Sequence, residues 1–284
     1  MIPQANITAW RATAPWADDA QVEQDLVLSR ATVELFADED LKAKIAMRGG
    51  TSLHKLFLQP PYRYSEDIDL VQTEAGPIGP VLDAIRAELD PWLGDPERYR
   101  RSGTFFLTYR FESEIPPVRR MRLKIEINTR EHFALLGLSP RELNVTNPWF
   151  TGQSEVVTFE PDELLATKLR ALYQRRKGRD LFDLWLCLEQ RLINPQRLVE
   201  CFAEYMDREG HPITRAQFEQ NLHDKESDPA FLSDIEPLLR PDLSYDAAAA
   251  IVVVKESLIK LLPGDPWRGT SADKPAKKRR RKKS

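Results

Sequence analysis

The feature that most restricts this chain is a pair of alternating segments, one running from Ser65 to Val71 (SEDIDLV) and one from Arg122 to Asn128 (RLKIEIN). Side chains of a strand point alternately to opposite faces, so Ser65, Asp67 and Asp69 share one side of the first segment while Ile68 and Leu70 take the other. In the second, Leu123, Ile125 and Ile127 face one way and Lys124, Glu126 and Asn128 the other. If both strands put their aliphatic sides into one core, Glu126 comes beside Asp67 and Asp69. Neighbouring carboxylates repel, and a fold keeps them where water solvates them or a cation compensates. An isolated D-x-D is most often a solvated strand face. Three carboxylates from two strands form the oxygen set that hard divalent ions prefer, with Mg²⁺ the expected ion and Mn²⁺ the alternative at Asp67, Asp69 and Glu126.

An acid cluster of this kind can hold ions that bridge a triphosphate, align an attacking hydroxyl and neutralise a leaving pyrophosphate. A nucleoside triphosphate (NTP) also needs hydrogen-bond donors. Gly49, Gly50, Thr51 and Ser52 stand where a short strand turns into a helix, a corner where glycine permits close backbone approach and the helix N-terminus favours anions. Taken alone, the same four residues read equally as a left-handed turn with Thr51 or Ser52 as helix cap. There is no G-x-x-x-x-G-K-[ST] and no G-x-G-x-x-G, so neither a P-loop nor a dinucleotide-binding fold competes for this corner.

Around these motifs the chain changes texture. Val22, Leu26, Ser29, Val33 and Phe36 lie at helical spacing, residues 78–90 read as a further helix, and TFFLTYRFES and VRRMRLKIEIN read as strands separated by Pro116-Pro117. From Pro161 the sequence favours helix: PDELLATKLRALYQRR, DLFDLWLCLEQRL, NPQRLVECFAEYM and SYDAAAAIVVVKESLIKLL, with the alanine run 247–250 expected inside a helix. The expected fold is α+β: residues 1–155 as a core with a small mixed sheet and an N-terminal helix, 156–263 as a helical domain completing the site, and 264–284 as a basic, disordered tail.

Composition narrows the class. With 284 residues, 42% hydrophobic and 30% charged, the chain suits one large or two small domains, and no run approaches the ~20 apolar residues that span a bilayer. The N-terminus lacks a signal-peptide pattern, so the cytoplasm is the expected compartment and no membrane partner is expected. Cys187 and Cys201 form no C-x-x-C, and both lie in apolar stretches, which favours reduced core thiols over a disulfide or zinc site. Eight of the 41 basic residues fall in 274–284, leaving 33 against 44 acidic residues in the body, a balance of −11. The tail is either a solvated, solubilising end or an electrostatic handle for nucleic acid.

Taken in order, MRGGTSL, RYSEDIDLV, KIEIN and ELLATKLRALYQRRKGRDLFDLW resemble the AbiEii/AbiGii toxin family of nucleotidyltransferases, relatives of the DNA polymerase beta superfamily, over about residues 45–190. The resemblance implies a polymerase-beta-like nucleotidyltransferase core followed by a helical domain, and a toxin of a toxin–antitoxin system with a cognate, usually DNA-binding antitoxin (AbiEi-like). It also implies transfer of a nucleoside monophosphate from NTP to an RNA acceptor, the tRNA 3′ end above all, blocking translation. It places Ser65, Asp67 and Asp69, Lys168 and Asp183 in the catalytic set and Glu126 as the third acid. The phosphate-binding hydroxyl is then Thr51, Ser52 or Ser65. Lys168 lies one helical turn from Leu164 and from Leu172, at the border of an apolar face, where a lysine either snorkels to solvent or reaches a cleft to meet a triphosphate. Asp180 reads as an N-cap, and Asp183, one turn on, as the residue that orients Lys168 or assists the attacking hydroxyl. Two other readings stay open: transfer to protein hydroxyls or a small molecule, and a nucleotide- or RNA-binding module without turnover.

Overall fold

The structure, a computed structural model, describes residues 2–269. The expected basic tail lies outside the described residues from position 270 on. Seven strands form one mixed sheet: β1 (Ile45–Arg48), β2 (Asp67–Gln72), β3 (Glu97–Arg101), β4 (Thr104–Glu112), β5 (Arg120–Asn128), β6 (Leu138–Asn147) and β7 (Phe150–Phe159), in spatial order β3-β4-β5-β2-β1-β7-β6. The β6–β7 hairpin enlarges the small sheet expected from sequence; it pairs in parallel with β1 through β7. Eleven α-helices accompany the sheet among the described residues: α1 (Gln4–Trp10), α2 (Asp19–Ala37), α3 (Glu39–Lys42), α4 (Gly49–Leu56) and α5 (Gly79–Leu93) with the strands, then α6 (Pro161–Gln174), α7 (Gly178–Glu189), α8 (Pro195–Arg208), α9 (Arg215–Glu226), α10 (Pro229–Ser233) and α11 (Ala247–Ser257). None is long and apolar enough to cross a membrane.

The register decides which face each side chain joins. β2 pairs in parallel with β5, Ile68 opposite Ile125 and Leu70 opposite Ile127, and all four are buried with Leu107, Tyr109 and Leu123. Covering that face are Leu26, Val33 and Phe36 of α2 and Ile85 and Leu89 of α5, so the helical spacing in 22–36 marks a genuine core stripe. Unlike a surface helix, α2 also buries Glu23, Gln24 and Asp25, because both α1 and the sheet pack on it. The opposite face is split. Ala46 and Val71 sit under Leu53 of α4 and the Leu164, Leu165, Leu169 and Leu181 stripes of α6 and α7. Where those helices end, the same face carries Asp67, Asp69, Lys124 and Glu126, and it opens into a cleft.

Helix ends follow local chemistry. Pro161 and Pro195 occupy first turns, where their missing N–H is no loss. Asp246 caps α11 through the amides of Ala248 and Ala249, so the alanine run forms that helix's first turn and not its interior. Cys187 and Cys201 are free and buried, with burial pushing both thiols above their usual range.

Candidate active site

The cleft lies between the sheet and α6/α7, lined by Gly50, Ser65, Asp67, Asp69, Glu126 and Lys168 of the residues expected from sequence, together with Arg63, Lys124, Arg175 and Arg179. Asp69 stands opposite Glu126 and Asp67 opposite Lys124 in the parallel β2–β5 register. The acids of two separate segments therefore meet as their alternation requires.

The corner at Gly49 and Gly50 is shaped by what it faces. Gly49 has φ +83°, and a Cβ there would come within 2.0 Å of Asp69 Oδ2; at Gly50 it would come within 2.3 Å of an Arg63 guanidinium nitrogen. The glycines thus admit one acid and one cation to the cleft floor. Thr51 and Ser52 do not line the cleft. The Thr51 hydroxyl is buried 2.8 Å from Ser65 Oγ and 2.5 Å from the Asp67 carbonyl oxygen, while Ser52 Oγ lies 2.7 Å from Thr158 Oγ1 inside the sheet–helix core. The expectation that either hydroxyl binds phosphate is corrected on that ground: both serve to fasten α4 to the strands. Ser65 alone of the three hydroxyls reaches the cleft.

Lys124 changes the acid cluster. Its Nζ is 2.9 Å from Asp67 Oδ2 and 2.7 Å from Glu126 Oε1, so an ammonium sits between two of the three carboxylates assigned to a divalent ion. Among the described residues no three Asp, Glu, His or Cys side chains gather closely enough to enclose a metal. Lys124 thus engages one oxygen of Asp67 and one of Glu126, which leaves Asp67 Oδ1 and the Asp69 carboxylate facing the cleft without it. A divalent cation nonetheless fits the pair: Asp67 Oδ1 is buried without a hydrogen-bond partner, and the donors are all carboxylate oxygens. Burial pushes the Asp67 carboxyl up to about 6 against the pull of Lys124, with Asp69 adding to the rise. Asp69 is raised too, by burial and then by Glu126.

Behind the cleft lies a second cluster with the opposite electrostatics. Asp183 is fully buried and receives Arg63 through Nε and a terminal nitrogen, each at 2.7 Å, and His54 Nε2 at 3.0 Å; Lys168 Nζ is 3.1 Å from it. Burial disfavours its charge, but Arg63 and Lys168 outweigh burial and hold the carboxyl well below its usual range. Asp180, likewise buried, takes both Arg175 nitrogens at 2.7 and 2.9 Å and lies 3.4 Å from Lys168 Nζ. Asp180 is not the N-cap of α7; Lys177 holds that position, and Asp180 sits in the first turn. Lys168, on α6, is thereby fixed by two carboxylates of α7 with its ammonium at the cleft wall. It neither snorkels nor moves freely.

Sequence reasoning missed Arg63, His54 and Lys124. Lys124 is legible as a neighbour of Glu126 on the same strand face. Arg63 carries no periodic signal, since it lies in the irregular segment after Pro60-Pro61.

A sheet that sets two acids of one strand against a neighbouring acid, beside a glycine corner and a helix-borne lysine, fits the chemistry of a nucleotidyltransferase. The profile of the family described as nucleotidyl transferase AbiEii toxin, type IV toxin–antitoxin system, matches residues 32–251. The chain belongs to that family, and it is a nucleotidyltransferase toxin of a type IV system. Among solved structures it is similar to MenT4, a nucleotidyltransferase toxin from Mycobacterium tuberculosis H37Rv, with a TM-score of 0.63 and 19% identity over 92% of this chain and 90% of that one. That likeness fixes the polymerase-beta-like α+β fold. An antigenic nucleotidyltransferase-like protein from Paracoccidioides brasiliensis aligns at TM-score 0.37 and 18% identity, over 75% of this chain and 94% of that one, too distantly to bear on the fold. No curated protein matches the chain in sequence.

Proposed function

We propose that this enzyme moves a nucleoside monophosphate from an NTP to the 3′ end of an RNA, with tRNA the acceptor that the family resemblance favours, and so blocks translation in the cytoplasm. The observation that carries the reading is the meeting in one cleft of Asp67, Asp69 and Glu126 on the sheet with Lys168 of α6, Arg175 directly after it and Arg179 of α7. One wall suits a cation and the other suits phosphate.

In the reaction the acceptor hydroxyl oxygen bonds to the α-phosphorus, the bond from that phosphorus to the bridging oxygen breaks, and pyrophosphate leaves with the electron pair. Mg²⁺ or Mn²⁺, when bound, supplies charge neutralisation at Asp67 and Asp69. Lys168 offers a point charge to the triphosphate, held in place by Asp180 and Asp183. Ser65 and the Gly50 backbone border the same floor and orient the phosphates. The proton of the acceptor hydroxyl passes to a carboxylate of the acidic wall. Residues 1–155 thus bring the acids and 156–263 bring the lysine, two parts of one site. A cognate antitoxin, DNA-binding in the manner of the family's partners, restrains the toxin.

Conditional expression followed by sequencing of tRNA 3′ ends tests the reading, with added nucleotides expected on tRNA from cells making the wild type and none with Asp67→Asn. Transfer of label from NTP to protein bands alone would replace the RNA acceptor with a protein hydroxyl.

A further inference from the structure

The row that crosses the sheet does not stop at the acids. Arg48 stands opposite Asp69, Asp69 opposite Glu126, Glu126 opposite Phe106, and Phe106 opposite Tyr99. Directly paired residues share a face, so five side chains from β1, β2, β5, β4 and β3 form one line. Its far end is aromatic. The Tyr99 and Phe106 rings stack in parallel, centroids 4.4 Å apart at 6°.

Among the described residues nothing covers the β3 edge of the sheet. Every residue of β3 is exposed, and Tyr99 keeps 50% of its surface in solvent. Edge strands are usually protected by charge or by brevity, and a large ring held flat on an open edge adds little to the core. Cations share its face: Arg101 follows Tyr99 on β3, the Arg110–Glu97 pair borders the ring on its other side, and Arg122 and Arg120 lie farther along the β5 face beyond Lys124. Arg101, Arg122 and Arg120 are exposed, and none has a carboxylate partner among the described residues.

A flat ring with a free face, with the unpaired Arg101 guanidinium beside it and those of Arg122 and Arg120 farther along the same sheet face, matches a ligand that brings π-faces and negative charges together along one chain. Single-stranded nucleic acid does so; a duplex hides its base faces, and a neutral or cationic peptide lacks the charge. Strands lie about 4.8 Å apart, which puts Tyr99 roughly 14 Å from Asp69, a span that a short single strand covers. We infer that Tyr99, backed by Phe106, is a stacking platform for an unpaired base near the 3′ end of the RNA acceptor, with Arg101 and Arg122 on its phosphates. The assignment rests on the RNA-acceptor reading above and names where that acceptor lies.

The test uses the full chain and a short, 5′-labelled single-stranded oligoadenylate with a free 3′-hydroxyl, followed by fluorescence anisotropy. Tyr99→Ala should weaken binding about tenfold, Tyr99→Phe should keep it, and the same oligonucleotide closed into a duplex should bind more weakly than the single strand. With tRNA and labelled NTP, Tyr99→Ala should raise the KM for RNA by a similar factor. Because Tyr99 is half exposed, its unfolding midpoint should match the wild type. Equal binding by wild type and Tyr99→Ala overturns the platform whatever the acceptor. Tyr99-dependent binding together with transfer to protein alone leaves the platform standing and removes the RNA-acceptor reading instead.

Discussion

Two sets of carboxylates lie at and behind the cleft that Lys168 lines, and they differ in what the fold does for them. Asp67 and Asp69, lining the cleft, have their pKa values raised, and one oxygen of Asp67 is buried with no partner. Asp180 and Asp183, behind them, are fully buried, surrounded by Arg63, His54, Lys168 and Arg175, and held below their usual range. The pair behind the cleft is electrostatically complete and serves to position; the half-buried pair lining the cleft is incomplete and poised for a cation. A protein that needed all four acids only for stability would satisfy all four. Under the proposed function, the difference separates residues placed to act on substrate from those that hold Lys168 still.

The largest expected effect breaks the cleft-lining set. Asp67→Asn should lower NTP turnover about a thousandfold or more, roughly 4 kcal/mol of transition-state stabilisation, when pyrophosphate release is followed. Its urea midpoint should be unchanged or higher, since the lost charge is one the fold disfavours. A destabilised but active Asp67→Asn would reverse the comparison.

The buried set should behave oppositely. Asp183→Ala leaves Arg63 as a buried cation without its carboxylate and Lys168 with Asp180 alone, which costs about 3–5 kcal/mol of folding stability by denaturant titration. Activity at low temperature should fall through a higher KM for NTP, because Lys168 loses its fixed position. Wild-type stability in Asp183→Ala would show that the cluster is not the anchor described here.

How far these roles could be read from sequence depends on how local their causes are. The β2–β5 pairing was legible because a period of two leaves one choice of face, so Asp67, Asp69 and Glu126 fall on one side. The family resemblance pointed to Lys168 and Asp183, but not to the cage around them. Arg63 reaches Asp183 from an irregular segment 120 residues earlier, and such a contact has no signature in spacing. Asp180 was misread as a cap because the helix begins at Gly178, two residues before it. Thr51 and Ser52 look like phosphate ligands in sequence, yet both hydroxyls face strands whose approach only the tertiary fold decides.

His54 sharpens the comparison through pH. Its Nε2 donates to Asp183, its Nδ1 is buried without a partner, and burial followed by Arg63 lowers its pKa to about 4. The native ring therefore stays neutral where the unfolded chain, titrating near 6.5, takes a proton. Stability contributed above pH 6.5 is lost as pH falls through the window down to 4, by up to about 3 kcal/mol, and the loss saturates below. Urea titrations between pH 7 and 4 should show a shallower slope for His54→Gln than for the wild type. Parallel slopes would mean the ring is protonated in the native state.

The smallest effect concerns Lys124, the cation that stands within the cleft-facing acids. Its ammonium already compensates Asp67 and Glu126, so a divalent ion must compete with a cation that the chain itself supplies. Lys124→Met removes the competitor and leaves three acids facing one another, a wall with more charge than the fold can settle alone. The variant should be slightly less stable without metal, and its thermal midpoint should respond to Mg²⁺ or Mn²⁺ at about tenfold lower concentration, near 1.4 kcal/mol. The reading is of midpoint against metal concentration, independent of turnover. A midpoint that responds to metal as the wild type does would show that Lys124 and the ion do not share a place, and that Glu126 belongs with the buried, positioning carboxylates and not with Asp67 and Asp69.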